Sequence, residues 1–192
     1  MRDKFINYFS KISALTAEES EGIAESMKVK TFKKGDFLLR EGQVSANTYF
    51  VLEGLVREYI LTDGEEKTTN FIGEEEWAIS LSSLSTEQAS NHFWICMEDT
   101  TVVVGDEQQA QELFKKFPRF ETISRKIMEK SMAEQKEALT SYYSDSPEQR
   151  YLKLLKSRPT LIQRVPQYHL ASYIGVKPES LSRIRKRIAA SD

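Results

Sequence analysis

The sequence predicts an α+β chain: an antiparallel β-barrel or jelly roll, then a long helix, then a small helical module closed by a helix-turn-helix. Three observations carry this. Glycine turns punctuate residues 29–104 at strand spacing and vanish from 106 to 174; helix formers dominate from Pro118; and the sign of the charge reverses near residue 150. Residues 1–149 hold 17 Lys+Arg against 27 Asp+Glu, whereas residues 150–192 hold 10 against 2. The boundaries expected are 1–116 for the β-rich domain, 117–145 for the long helix and hinge, and 146–192 for the helical module.

Taken in order, Phe5, Ile6, Phe9, Ile12 and Leu15 fall near helical spacing, and Thr16-Ala17-Glu18-Glu19 reads as an N-cap with acids in the first turn. Two short helices are expected before Lys28. Short apolar stretches then alternate with turns at Gly35, Gly42, Gly54, Gly64 and Gly73. Thr62-Asp63-Gly64-Glu65 reads as a hairpin, because Asp-Gly adopts the positive φ angles of a two-residue turn.

Pro118 suits the start of a helix running to about Tyr142. Within it Met128, Met132, Gln135, Leu139 and Tyr142 step by four and three, the spacing of a coiled-coil seam, with Ile127 leading in. These six form a candidate homodimer interface; packing of the helix on its own barrel is the alternative. A hinge is expected over 141–146. Ser146-Pro147-Glu148-Gln149 then has the form of a capping box with proline at the first helical position. Leu152 and Leu155 are expected to face inward, and Arg158-Pro159 to end that helix.

Residues 166–190 carry the sharpest pattern. Gly175 separates two helical stretches, Ala171 is small where helices must cross, and Pro178 presets a first turn. Leu170, Ile174, Val176, Leu181, Ile184 and Ile188 make a small core, leaving Glu179, Ser182, Arg183 and Lys186 on the opposite face. Such a face suits the major groove of double-stranded DNA: arginine donates twice to guanine and glutamate accepts from the cytosine amino group. Glu179, Ser182 and Arg183 are the candidate base contacts. Gln167, Tyr168, Lys177, Ser180, Arg185, Lys186 and Arg187 are the candidate backbone contacts, since a basic module on an acidic chain suits phosphates. Lys177 stands where an N-cap Ser, Thr, Asp or Asn is usual.

Several chemistries are disfavoured. Cys96 is the only cysteine and His92 and His169 the only histidines, so disulfide, thiolate-metal and cupin-type metal centres lack donors, and no enzyme is expected. The longest apolar run, residues 93–97, falls far short of the roughly 20 residues a spanning helix needs. The N-terminus has no signal-peptide pattern, so a cytoplasmic location is expected.

Phe32-Lys-Lys-Gly35-Asp-Phe-Leu-Leu, Glu41-Gly42, Tyr49-Phe-Val-Leu-Glu-Gly54 and Val56-Arg-Glu-Tyr, together with the tail from Leu170 to Lys186, resemble the CRP/FNR superfamily of transcription regulators, in the form common among Bacteroidetes members. The resemblance implies a cyclic-nucleotide-binding-like effector domain and a parallel dimer on the long helix. It also implies that Glu179 and Arg183 contact bases of a palindromic operator, with RNA polymerase a candidate further partner. Pro178 replaces the family's arginine before that glutamate. In members that bind cyclic nucleotides, a Gly-Glu pair holds the ribose and an Arg-Ser/Thr pair the phosphate. Here Ser80 falls about where that glutamate belongs, with Leu81 beside it, and the arginine position falls among Ala89, Ser90 and Asn91, a degenerate effector pocket; Gly73-Glu74 spells the first pair but sits some residues early. From Thr68 to Phe114 there are nine acids and no Lys or Arg. Family-mode cAMP binding is therefore not expected, and no cofactor is assigned. Trp77, Phe93 and Trp94 are candidate stacking groups for another small effector, though such aromatics are more often core. A signalling module acting through a protein partner is the alternative function.

Overall fold

The computed structural model describes residues 1–190. They divide into two compact units, one comprising Met1–Glu58 and Phe71–Ser131, the other Tyr59–Asn70 and the chain from Met132 onward.

The first unit opens with α1 (Arg2–Ile12) and α2 (Ala17–Ser26). Thr16 and Glu19 form the reciprocal capping box that starts α2. Eight strands follow: β1 (Lys28–Phe32), β2 (Phe37–Leu39), β3 (Asn47–Glu53), β4 (Val56–Thr62), β5 (Glu65–Ile72), β6 (Trp77–Ala78), β7 (Phe93–Cys96) and β8 (Thr100–Asp106), with the short α3 (Leu81–Thr86) between β6 and β7 and α4 (Glu107–Lys116) after β8. They make two four-stranded sheets, ordered β1-β8-β3-β6 and β2-β7-β4-β5. The architecture is an open jelly-roll sandwich, not a closed barrel.

Strand alternation explains how one sheet serves two cores. In β3, paired antiparallel to β8 with Tyr49 opposite Val104 and Val51 opposite Val102, those four side chains face the sandwich interior with Leu38, Leu39, Trp94 and Cys96. Phe50, Leu52 and Val103 take the other face and meet Phe5 and Phe9 of α1 and Phe120, Ile123 and Ile127 of α5 (Arg119–Ser144). The helices are thus held by every second residue of the strands. Trp94 is fully buried, its ring edge-on to Tyr49 at 6.2 Å and its Nε1 donating to Glu58 Oε2 at 2.8 Å. Trp77 packs instead among Phe5, Tyr8 and Phe50.

The β3–β4 turn needs glycine. Gly54 has φ +107°, and a Cβ there would stand 2.7 Å from Thr100 Cα. Its amide donates to Glu74 Oε1 at 3.1 Å, while Glu76 accepts from the Gly73 amide at 2.8 Å, so these acids secure turns. Burial pushes the Cys96 thiol up to about 11, which keeps it protonated at neutral pH. No helix among the described residues is long and apolar enough to cross a membrane.

Candidate nucleic-acid interface

The second unit is built on α6 (Pro147–Ser157), α7 (Pro159–Arg164), α8 (Gln167–Ile174) and α9 (Pro178–Ala189). Ser146 and Gln149 close the expected capping box on α6. The inward face of α6 differs from the sequence reading. Tyr151 and Leu154 are buried, whereas Leu152 is 44% exposed, so the apolar stripe starts one residue earlier. The sequence reading missed α7: Arg158-Pro159 ends α6 but also opens one more short helix, because proline is as suitable at a helix start as after a helix end. Leu161 and Val165 join Leu170, Ala171, Ile174, Leu181 and Ile184 in the core, while Val176 and Ile188 are half-buried.

The turn between α8 and α9 closes as a Schellman motif, with Val176 N donating to Ala171 O at 2.9 Å and Gly175 N to Ser172 O at 3.0 Å. Gly175 has φ +77°, and a Cβ on it would lie 3.0 Å from the Tyr142 hydroxyl. The positive φ is what calls for glycine there; a side chain would in addition press on the Tyr142 ring. Lys177 is the N-cap residue of α9 and makes no side-chain capping bond; Pro178 takes the first helical position.

On α9, Leu181 and Ile184 face the core, and Glu179, Arg183 and Lys186 lie exposed on the opposite side. Arg183 Nη2 donates to Ser180 Oγ at 3.1 Å, one turn back, which restricts the guanidinium's freedom along the helix. Gln167, Ser182, Arg185 and Lys186 border one groove of about 430 Å³ over Tyr151 and Leu155. Arg185 is half-buried at the core edge of α9. Arg187 is fastened to Glu148 of α6, with Nε donating to Oε1 at 3.2 Å and Nη2 donating to Oε2. Tyr168 is 58% exposed, and Gln167 and Lys177 are exposed.

Arg150 of α6, which sequence reasoning did not single out, braces this module. Its Nε and Nη2 donate to Ile174 O at 2.9 and 2.7 Å, and its Nη1 donates to Asp145 O at 2.6 Å and Tyr142 O at 3.1 Å. The guanidinium also lies 5.0 Å from the centre of the Tyr142 ring. Asp145 receives Lys153 Nζ at 2.6 Å and the Ser141 hydroxyl; the Lys153 bond first, then Ser141, holds its carboxyl below the usual range. Helix α5 runs to Ser144, leaving Asp145 and Ser146 between it and α6, a tighter link than the expected 141–146 hinge.

Of the long-helix residues, Met132, Leu139 and Tyr142 are 50% or more exposed, Gln135 is exposed and Met128 is half-buried, while Ile127 is packed against the first unit's helix-side core. Of the effector-pocket residues, Ser80 and Ser90 are buried, and Leu81, Ala89 and Asn91 are exposed. Ser80 Oγ donates to Ser83 Oγ at 2.9 Å, and Ser90 Oγ accepts from His92 N at 3.0 Å. These hydroxyls tie down their own loop. Arg57 of β4 is a buried charge, 3% exposed, that sequence reading passes over.

Residues 29–117 match the family model of the cyclic nucleotide-binding domain. The transcriptional activator protein anr of Pseudomonas aeruginosa is 24% identical over 187 residues, covering 91% of this chain and 76% of that protein. Among solved structures, FixK2 from Bradyrhizobium japonicum superposes with a TM-score of 0.71 at 15% identity, covering 86% of this chain and 85% of FixK2. The c-di-GMP responsive global regulator CLP of Xanthomonas campestris gives a TM-score of 0.70 at 18% identity, covering 92% and 93%. Thermus thermophilus catabolite activator protein gives 0.56 at 20% identity, covering 94% and 86%. At these identities the solved structures establish the fold. With the domain match beside them, residues 29–117 carry a cyclic nucleotide-binding domain, and the chain is similar over most of its length to these transcription regulators.

Proposed function

We propose that this protein is a non-enzymatic, cytoplasmic, homodimeric regulator that reads a two-fold symmetric DNA site by laying α9 in the major groove. The observation that carries the reading is the division of α9: Leu181 and Ile184 lock it to the module, leaving Glu179, Arg183 and Lys186 outward on one face. Support for dimerisation comes from the exposed Met132, Leu139 and Tyr142 of α5, apolar groups that a second copy would cover. RNA polymerase is the natural further partner of such a regulator.

Selection of bound duplexes from random pools is expected to return an inverted repeat. Affinity for it should fall steeply with salt, log K against log salt sloping by about −0.9 for each phosphate neutralised. A selected pool without symmetry, or binding indifferent to salt, would count against the assignment.

The effector domain keeps the fold while lacking the arginine that holds a cyclic phosphate. Ser80 and Ser90, near the pocket positions, are engaged with their own loop, and nine acids with no Lys or Arg over residues 68–114 make a poor setting for a phosphate. Titration with cAMP is expected to give no heat of tight binding; micromolar or tighter association would overturn this part of the proposal.

A further inference from the structure

Helix α9 has a third face, distinct from the one that packs on the core and the one that points outward. Arg185 and Ala189 stand one turn apart on it with Ile188 beside them, and across a groove lie Tyr151 and Leu155, one turn apart on α6. Gln167, at the start of α8, borders the same groove.

The lining is divided by chemistry. Tyr151 is buried and Leu155 and Ile188 are half-buried, an apolar floor, whereas Gln167 and Lys186 are exposed at the rim and Arg185 is half-buried between them. Arg187, the next cation along the helix, is fastened to Glu148, but neither Arg185 nor Lys186 is bonded to an acid or a carbonyl among the described residues. A half-buried guanidinium has given up part of its water without gaining an acceptor, so an anion placed there meets a charge that solvent screens poorly.

Size narrows the class of occupant. The groove's volume of about 430 Å³ lies within the roughly 300–1,000 Å³ of small-molecule clefts, which typically pair an apolar lining with a few convergent polar groups. A stably docked protein covers about 800 Å² on each partner, far more than this groove presents. A DNA phosphate would satisfy the cations and leave the apolar floor bare.

We propose that the groove between α6 and α9 binds a small organic acid, its apolar body over Tyr151, Leu155 and Ile188 and its anionic group on Arg185 and Lys186. The inference does not depend on α9 reading DNA.

The test is titration of the full chain with anilinonaphthalene sulfonate, an anion on an apolar body that fluoresces when it leaves water. Phenylnaphthylamine, the same rings without the sulfonate, is titrated in parallel. The sulfonate should bind saturably and about tenfold more tightly than its neutral analogue, since only the anion engages the cations. Arg185→Gln should remove about that tenfold from the sulfonate while the analogue binds as before, which shows the floor intact. Arg187→Gln, which takes an equal charge from outside the groove, should leave both affinities unchanged. Amide shifts in a two-dimensional NMR spectrum locate the dye: Leu155, Gln167 and Ile188 should move in the parent and stay still in R185Q at the same dye concentration. Equal affinity for the two dyes, a loss in R187Q as large as that in R185Q, or shifts confined to the exposed apolar residues of α5 overturns the site. Groove amides that move with a DNA duplex and not with the dye would make the groove part of a DNA interface, and overturn it as well.

Discussion

Replacing Arg183 by alanine should weaken binding to the selected operator by about 1–3 kcal/mol and let all four bases be accepted at one position of each half-site. The expectation follows from where the side chain stands. Arg183 is exposed on the outward face of α9, and its Nη2 is held by Ser180 Oγ at 3.1 Å, so part of the order needed for a bidentate contact exists before DNA arrives. Lysine should not restore discrimination, since a point charge cannot reproduce the planar fork that matches guanine. Binding measured against a panel of operators with one substituted position decides the matter. If the alanine variant ranks the panel as the parent does, Arg183 does not read a base. A uniform loss over the panel, with a shallower salt slope, would make it a phosphate contact instead.

Arg150→Ala should lower the stability of the C-terminal unit by about 2 kcal/mol, charge-assisted bonds to carbonyls being stronger than neutral ones and this arginine being partly exposed. Its donors reach carbonyls at two places: Ile174 at the end of α8, and Tyr142 with Asp145 at the end of α5. Both are helix C-termini, where a cation is favoured and unpaired carbonyls accumulate. The same bonds fix the Tyr142 ring next to Gly175, so their removal should loosen the turn that aims α9. A urea transition followed by far-ultraviolet circular dichroism, with operator affinity measured in parallel, should show both losses. An unchanged midpoint would reduce Arg150 to a bystander.

The features legible in the sequence are those written in short-range chemistry. Thr16 with Glu19, Ser146 with Gln149, Asp63 with Gly64, and the glycine of the α8–α9 turn each specify a local backbone shape through residues at most three apart, and each is found as expected. The charge reversal near residue 150 marks the basic module for the same reason. What could not be read is what depends on partners far along the chain. Arg150 serves backbone carbonyls, which every residue has and no motif announces. Ser172 looks like any half-buried helix serine until the Thr68 amide is placed against it. The inward face of α6 was misread because Leu152 fits an apolar stripe as well as Leu154 does, and only the position of the neighbouring helices selects Tyr151 and Leu154. The long helix ends at Ser144, two residues past the expected Tyr142, with the Thr140 and Ser144 hydroxyls bonded to carbonyls four residues back, Lys136 and Thr140.

Both tryptophans, Trp77 and Trp94, belong to the β-rich unit, and the C-terminal helices have none. Indole emission therefore watches one half of this molecule and is blind to the other. Trp94, sealed between the sheets with Glu58 on its nitrogen, is a native lamp for the melting of the sandwich, whereas events at the reading end would leave its colour untouched.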